Sequence, residues 1–224
     1  MKPSFFDRLL PSRFRRSAPQ SGDTVPPHLL EPIRLDGTPE ELAAVRPGET
    51  LPDAVAAEAD RFAELGNARM EEGAYVDALA AFRQGLEILP PPRYRWEAAE
   101  WFLAGIGDAL WFLKCHLNAV PIWNDMLLHG AVGKGWVHLR RGQTLYELGD
   151  FKEAESELMR ALLLEGQPLF EGEDRKYWNY ITSRARPPEG WTSWEGWTGA
   201  EPGSQMYEWL MNLDLYEYRS RPQN

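Results

Sequence analysis

Phe62-Ala-Glu-Leu65-Gly66-Asn-Ala-Arg-Met-Glu-Glu-Gly73-Ala-Tyr75-Val-Asp-Ala78-Leu-Ala-Ala-Phe82 is the stretch from which the fold of this chain can be read. Leu65-Gly66 is followed at fixed offsets by Gly73, Tyr75, Ala78, Phe82 and then Pro90. Further along, Gly142 is followed by Gly149, Phe151, Ala154, Leu158 and Ala161 at matching offsets. Between the two, Ile106-Gly107 is followed by Ala119 and Trp123, 12 and 16 residues after the glycine. A small residue on one helix and a large one on the next, repeated at fixed offsets, is how stacked helical hairpins bury a shared core. The glycine spacing is 41 residues (66 to 107) and then 35 (107 to 142), the longer gap centred on Pro90-Pro91-Pro92.

Hydrophobic periodicity extends this reading to an all-α chain. It predicts helices over Asp53 to about Met70, Ala74–Leu89, about Tyr94 to Leu113, Leu117–Leu128, Trp136–Leu148 and Phe151–Glu165. A further helix, about Glu173 to Ser183, presents Tyr177, Tyr180 and Ile181 to the last hairpin, as the cap that the end of a helical array needs. Residues 53–186 are therefore expected to form one helical domain. Before it, residues 17–52 hold seven prolines, from Pro19 to Pro52. That density blocks helix and ladder, so 1–52 reads as a basic then proline-rich extended leader. After it, residues 187–203 interleave Trp191, Trp194 and Trp197 with prolines and glycines, and Met206–Tyr218 reads as an amphipathic helix with Trp209, Leu210, Leu213 and Tyr216 on its apolar side. Three exposed tryptophans in a coil would be costly. Residues 187–224 are expected to pack back on the helical domain, the alternative being that they touch a partner.

Composition narrows the function. The chain has 224 residues, 43 % of them hydrophobic, and no apolar run near the ~18–20 residues needed to span a bilayer. The single cysteine, Cys115, excludes an internal disulfide and fits a reducing, cytoplasmic location. A net charge of −10 argues against nucleic acid and for a basic protein surface as partner. Residues 1–16 carry a local +4, which leaves −14 on the other 208. That basic opening reads as a frayed terminus, or as a short segment lying on an anionic membrane.

No catalytic or cofactor constellation emerges. His28, His116, His129 and His138 share no metal-ligand spacing, and one cysteine makes no thiolate set. Gly105-Ile-Gly107 falls inside a helix rather than after a strand, and Gly130-Ala-Val-Gly-Lys134-Gly has the wrong spacing for a phosphate loop and no Ser or Thr after the lysine. Cys115 and His116 are neighbours on one helix, about 100° apart, which does not suit a nucleophile–base pair. The expectation is a binding protein without cofactor or metal, not an enzyme.

The repeat resembles the tetratricopeptide repeat (TPR), whose signature runs large residue, Leu-Gly, turn Gly, aromatic, Ala, aromatic, Pro. The first unit matches nearly all of it with Phe62, Leu65, Gly66, Gly73, Tyr75, Ala78, Phe82 and Pro90. The third has Arg141 in place of the Leu and Gly166 in place of the Pro; the second has Lys114 at the turn Gly and Met126 at the second Ala. The resemblance covers about residues 53–166. It implies a right-handed solenoid of three hairpins, here with a C-terminal capping helix and a Trp-rich tail. In that family the first helix of each hairpin lines a concave groove. Carried over by position, the groove residues are Asp60, Asn67, Met70 and Glu71; Trp101, Asp108 and Trp111; and Trp136, Gln143, Tyr146 and Glu147, with Ala63, Ala104, Phe112 and Leu139 between them. Aromatics beside hydrogen-bonding groups are the composition of an interface hot spot. Phe112 and Leu139 are more core-like than Trp111 or Tyr146. Ala63 and Ala104 stand where carboxylate-clamp lysines would, so the groove suits a basic target.

The stretch from Gly142 to Tyr177, with Leu164-Glu165-Gly166 and Phe170-Glu-Gly-Glu173-Asp174-Arg-Lys176-Tyr177, is similar to small bacterial repeat proteins that serve as immunity partners of secreted polymorphic toxins. That resemblance implies a cytoplasmic inhibitor that binds one toxin domain and occludes its active site. Acidic inhibitors of basic toxins also gain fast electrostatic association. The long leader and Trp-rich tail depart from that group. The alternative is a TPR scaffold or chaperone of a secretion or envelope assembly, binding several peptide segments at micromolar affinity.

Overall fold

A computed structural model of the chain describes residues 24–33, 35 and 50–219, with side chains as far as Asn212. The basic opening 1–16 lies outside the described residues, as do the side chains of Leu213 and Tyr216. The described residues are all-α: eight α-helices, four short 3-10 turns and no strand. The helices are α1 (Asp53–Glu72), α2 (Tyr75–Glu87), α3 (Glu97–Phe112), α4 (His116–Leu128), α5 (Gly135–Glu147), α6 (Phe151–Glu165), α7 (Arg175–Thr182) and α8 (Gln205–Arg219). Among these residues no helix is long and apolar enough to cross a membrane. The clearest departure from the periodicity is at α3, which starts at Glu97 rather than near Tyr94. Arg93–Arg95 form a separate 3-10 turn, and Trp96, extended at φ −92° and ψ 131°, caps the helix. Its indole donates to the Pro90 carbonyl at 2.7 Å, which ties the helix start to the proline run.

The chain divides into two compact units, one up to Asn118 and one from Ala119. In the first, α1 and α2 fold back on each other at Gly73, and the small–large pattern becomes contact. A Cβ on Gly66 would lie 2.2 Å from the Phe82 ring, and one on Gly105 of α3 would lie 2.7 Å from it, so Phe82 sits between two bare stretches of backbone. Gly85 of α2 receives Phe102 of α3 in the same way, at 2.2 Å. Tyr75 stacks on Phe112 with ring centroids 4.8 Å apart. Helices pack this closely only where one partner lacks a side chain. Residues Pro27–Leu30 form a 3-10 turn held on this unit: Arg83 donates to the Leu29 and Glu31 carbonyls and Asn118 to the Leu30 carbonyl, with Leu29 and Leu35 buried.

In the second unit α5 and α6 form the equivalent hairpin, where a Cβ on Gly142 would lie 2.8 Å from the Leu158 side chain. The buried indole of Trp123, in α4, donates to Thr144 Oγ1 at 3.2 Å. The tail then returns to the end of α6. Leu162 O accepts from the Trp197 indole (2.9 Å), Leu163 O from Ala200 N (2.7 Å), and Trp197 O from Gln167 N (2.7 Å). Leu163 O is one of the carbonyls that the last turn of a helix leaves without a partner, whereas Leu162 O already accepts from Gly166 N at 3.0 Å and gains a second donor. Trp194 is buried and donates to Ala185 O, while Trp191 stays 42 % exposed. Leu210 of α8 closes a small core with Leu164 and Ala200.

Three of the inter-helix turns are alike. Gly73, Lys114 and Gly149 have φ of 76°, 62° and 81°. In each, the amide of this residue bonds the carbonyl three before it (Met70, Trp111, Tyr146) at 3.0–3.1 Å. The next amide bonds the carbonyl five before it (Arg69, Leu110, Leu145) at 2.9–3.0 Å. This is the Schellman closure, which needs a left-handed residue. Lys114 takes that conformation without being glycine, its ammonium 4.9 Å from the centre of the Trp111 ring.

Candidate protein-binding surface

The eleven candidate residues fall in both units, and each unit is described by itself. In the first, α1 carries Asp60, Asn67, Met70 and Glu71. Asp60 and Glu71 are exposed and Asn67 half-buried, and with the exposed Glu64 they form a stripe at spacings of four, three and four. No ion pair of these three carboxylates is among those described, whereas Glu58 and Glu72 are held by Arg61 and Arg69 one turn away. Asp60 also lines a cavity of about 490 Å³ with Leu51, Arg95, Trp96 and Glu97. Met70, 3 % exposed, is a core residue rather than a surface one. So is Trp101 of α3, at 3 %: it packs edge-on to Phe82 at 5.7 Å. Both face inward because α1, α2 and α3 are packed closely around Phe82. Asp108 and Trp111 are half-buried, and Phe112 lies in the core.

In the second unit α5 carries Trp136, Gln143, Tyr146 and Glu147, and most of these are engaged by residues 173–180. Gln143 is fully buried, its amide nitrogen donating to Glu173 Oε2 at 2.9 Å and its oxygen accepting from Arg140 at 2.9 Å. It is an interior group, not a contact for a partner. Tyr146 is ringed edge-on by Phe151, Tyr177 and Tyr180, at 5.2, 5.5 and 5.0 Å. Glu147 accepts from the Tyr177 hydroxyl at 2.6 Å and lies 2.5 Å from Lys176 Nζ. Burial, then the nearby carboxylates of Glu147, Asp174 and Glu173, push the Tyr177 phenol above its ordinary range, so it stays a donor. Trp136 remains half-buried, its backbone N–H donating to Glu165 Oε1 at 3.3 Å. Leu139 is in the core. Helix α7 thus engages polar and aromatic groups that position alone marked as open.

A group that sequence reasoning missed lies deeper in this unit. Glu157 of α6 is fully buried and shared by three partners: His138 Nδ1 at 2.7 Å from Oε2, and Arg141 and Arg160 at 2.8 and 2.9 Å from Oε1. His138 Nε2 lies 2.9 Å from the Val132 carbonyl, so both ring nitrogens face acceptors. Burial raises the Glu157 carboxyl, but the His138 hydrogen bond and the charges of His138, Arg141 and Arg160 outweigh it and hold the group at about 2. The one signal in the sequence was Arg141, standing where the repeat signature has Leu.

Among the described residues no group of three His, Cys, Asp or Glu side chains is placed to hold a metal ion. Comparison with known proteins gives no matching family model, no matching curated protein and no matching solved structure. On α1 the carboxylates of Asp60, Glu64 and Glu71 form the stripe of charge that no described ion pair compensates.

Proposed function

We propose that this chain is a non-enzymatic, TPR-like binding protein, right-handed and built of three hairpins, that neutralises one basic toxin domain in the bacterial cytoplasm by covering its active site. Two observations support the TPR-like part: the same Schellman turn recurs at Gly73, Lys114 and Gly149, and Phe82 and Leu158 each meet the glycine sixteen residues earlier. The binding part is carried by the stripe of exposed carboxylates Asp60, Glu64 and Glu71, in line with the half-buried Asn67 and not drawn into the ion pairs that hold their neighbours. A basic partner would meet this stripe first, and charge complementarity of that kind acts mainly on the association rate.

Affinity capture of the tagged full chain from its native cell, with mass spectrometry, tests the reading. One stoichiometric, basic partner that is lethal when produced alone is the expected result. Asp60→Lys combined with Glu71→Lys should then slow association by about tenfold or more at low salt and less at high salt. A spread of substoichiometric partners from a secretion or envelope complex would replace this reading with the scaffold.

A further inference from the structure

A cavity of about 320 Å³ opens between the 3-10 turn Gln167–Phe170 and α7, lined by Gln167, Phe170, Glu171, Glu173, Arg175 and Trp178. Its aromatic wall is a pair: Phe170, buried, and Trp178, half-buried, with ring centroids 5.5 Å apart and inclined at 66°. Its polar wall is preset. Glu173 Oε2 accepts from Arg140 at 3.1 Å and from the fully buried Gln143 at 2.9 Å, so this carboxylate is positioned before any ligand arrives. The Glu173 amide bonds Phe170 O and the Glu171 amide bonds Pro168 O, both at 3.2 Å, which closes the turn that presents the two acids. Residues 171–175 hold three carboxylates (Glu171, Glu173, Asp174) and one guanidinium (Arg175), so the turn is negative even after Arg140 is counted.

We infer that this cavity receives an arginine side chain of the partner, its guanidinium plane against Trp178 and its N–H groups toward Glu171 and Glu173. The inference rests on the partner being a basic protein. A planar, weakly hydrated cation that both stacks on indole and donates to two carboxylates matches this wall pair better than lysine does. Because Gln143 and Arg140 already hold Glu173, little side-chain ordering is left for binding to supply.

The test uses the full chain and N-acetyl-L-arginine amide as probe, read by the indole N–H signal of Trp178 in 1H–15N NMR and assigned with Trp178→Phe. The expected result is a saturable shift, about tenfold weaker with the neutral citrulline analogue. The exposed Glu171→Gln should weaken it severalfold without unfolding the chain, and Glu173→Gln should abolish it. No saturable shift, an equal shift with citrulline, or a shift driven instead by N-acetylglycine at Arg175 would overturn the assignment. The titration needs no partner, so its failure removes the cavity and leaves the partner reading standing. Capture of a partner that is not basic does the reverse.

Discussion

Replacing Glu157 with Gln tests the buried charge cluster at nearly constant volume. The variant takes away the negative charge that His138, Arg141 and Arg160 share within 2.9 Å. Two independent routes give the cost. Removing one member of a buried ion pair typically costs about 3–5 kcal/mol. Separately, the carboxyl is held at about 2 against an ordinary 4.5, and that depression corresponds to about 3 kcal/mol by linkage. The sign follows from the direction: the folded value lies below the unfolded one, so the stabilisation is complete above about 4.5 and is lost as pH falls toward 2. Urea unfolding of the full chain, read by tryptophan fluorescence at pH 7, should show the variant about 3–4 kcal/mol less stable, with the midpoint of thermal unfolding lower by about 6–16 °C. Titrating both proteins from pH 6 to pH 2 should then bring their stabilities together, because the wild type loses what the variant never had. A variant within 1 kcal/mol of wild type at pH 7, or a gap that persists unchanged at pH 2, would refute the assignment of the cluster as an ionised, stabilising group.

The turns and the tail give two more tests. Lys114 holds the left-handed conformation at φ 62°, where a β-branched side chain is a severe outlier. Lys114→Val should therefore destabilise by about 1–2 kcal/mol in urea unfolding while Lys114→Gly stays near wild type, and equal behaviour of the two would refute the turn geometry. Gly166 lies at φ 70° and ψ −161°, a region open essentially to glycine alone, with Trp197 O 2.2 Å from where a Cβ would stand. Gly166→Ala should cost about 1–3 kcal/mol and expose residues 186–200 to limited proteolysis; an unchanged digestion pattern would show that the tail does not depend on that close approach.

Helices and turns were legible in this sequence because each rests on a local signal. Periodicity marks the helices, and the left-handed residue of each hairpin stands at a countable position, even where Lys114 occupies it. The buried cluster was not legible, because Arg141 and Glu157 lie on different helices and only their packing tells that both point inward. Read alone, Arg141 is a departure from a leucine and Glu157 one more acid among many. The candidate surface failed in the same way at Met70, Trp101 and Gln143. Position in a repeat fixes which helix a residue is on, but its exposure depends on what packs next to that helix. For α5 the deciding neighbour is α7, whose docking side (Tyr177, Tyr180 and Ile181) was legible, but not which groups of α5 it would engage. It engages Tyr146 and Glu147 through Tyr177, Tyr180 and Lys176, and the preceding Glu173 engages Gln143. The same packing that buries Gln143 and pairs the exposed Glu147 with Lys176 sets Glu173 against the cavity beside Trp178. A partner drawn by negative charge would therefore meet in the second unit the acids of the turn before α7, while Glu147 of α5, though exposed, is already paired with Lys176.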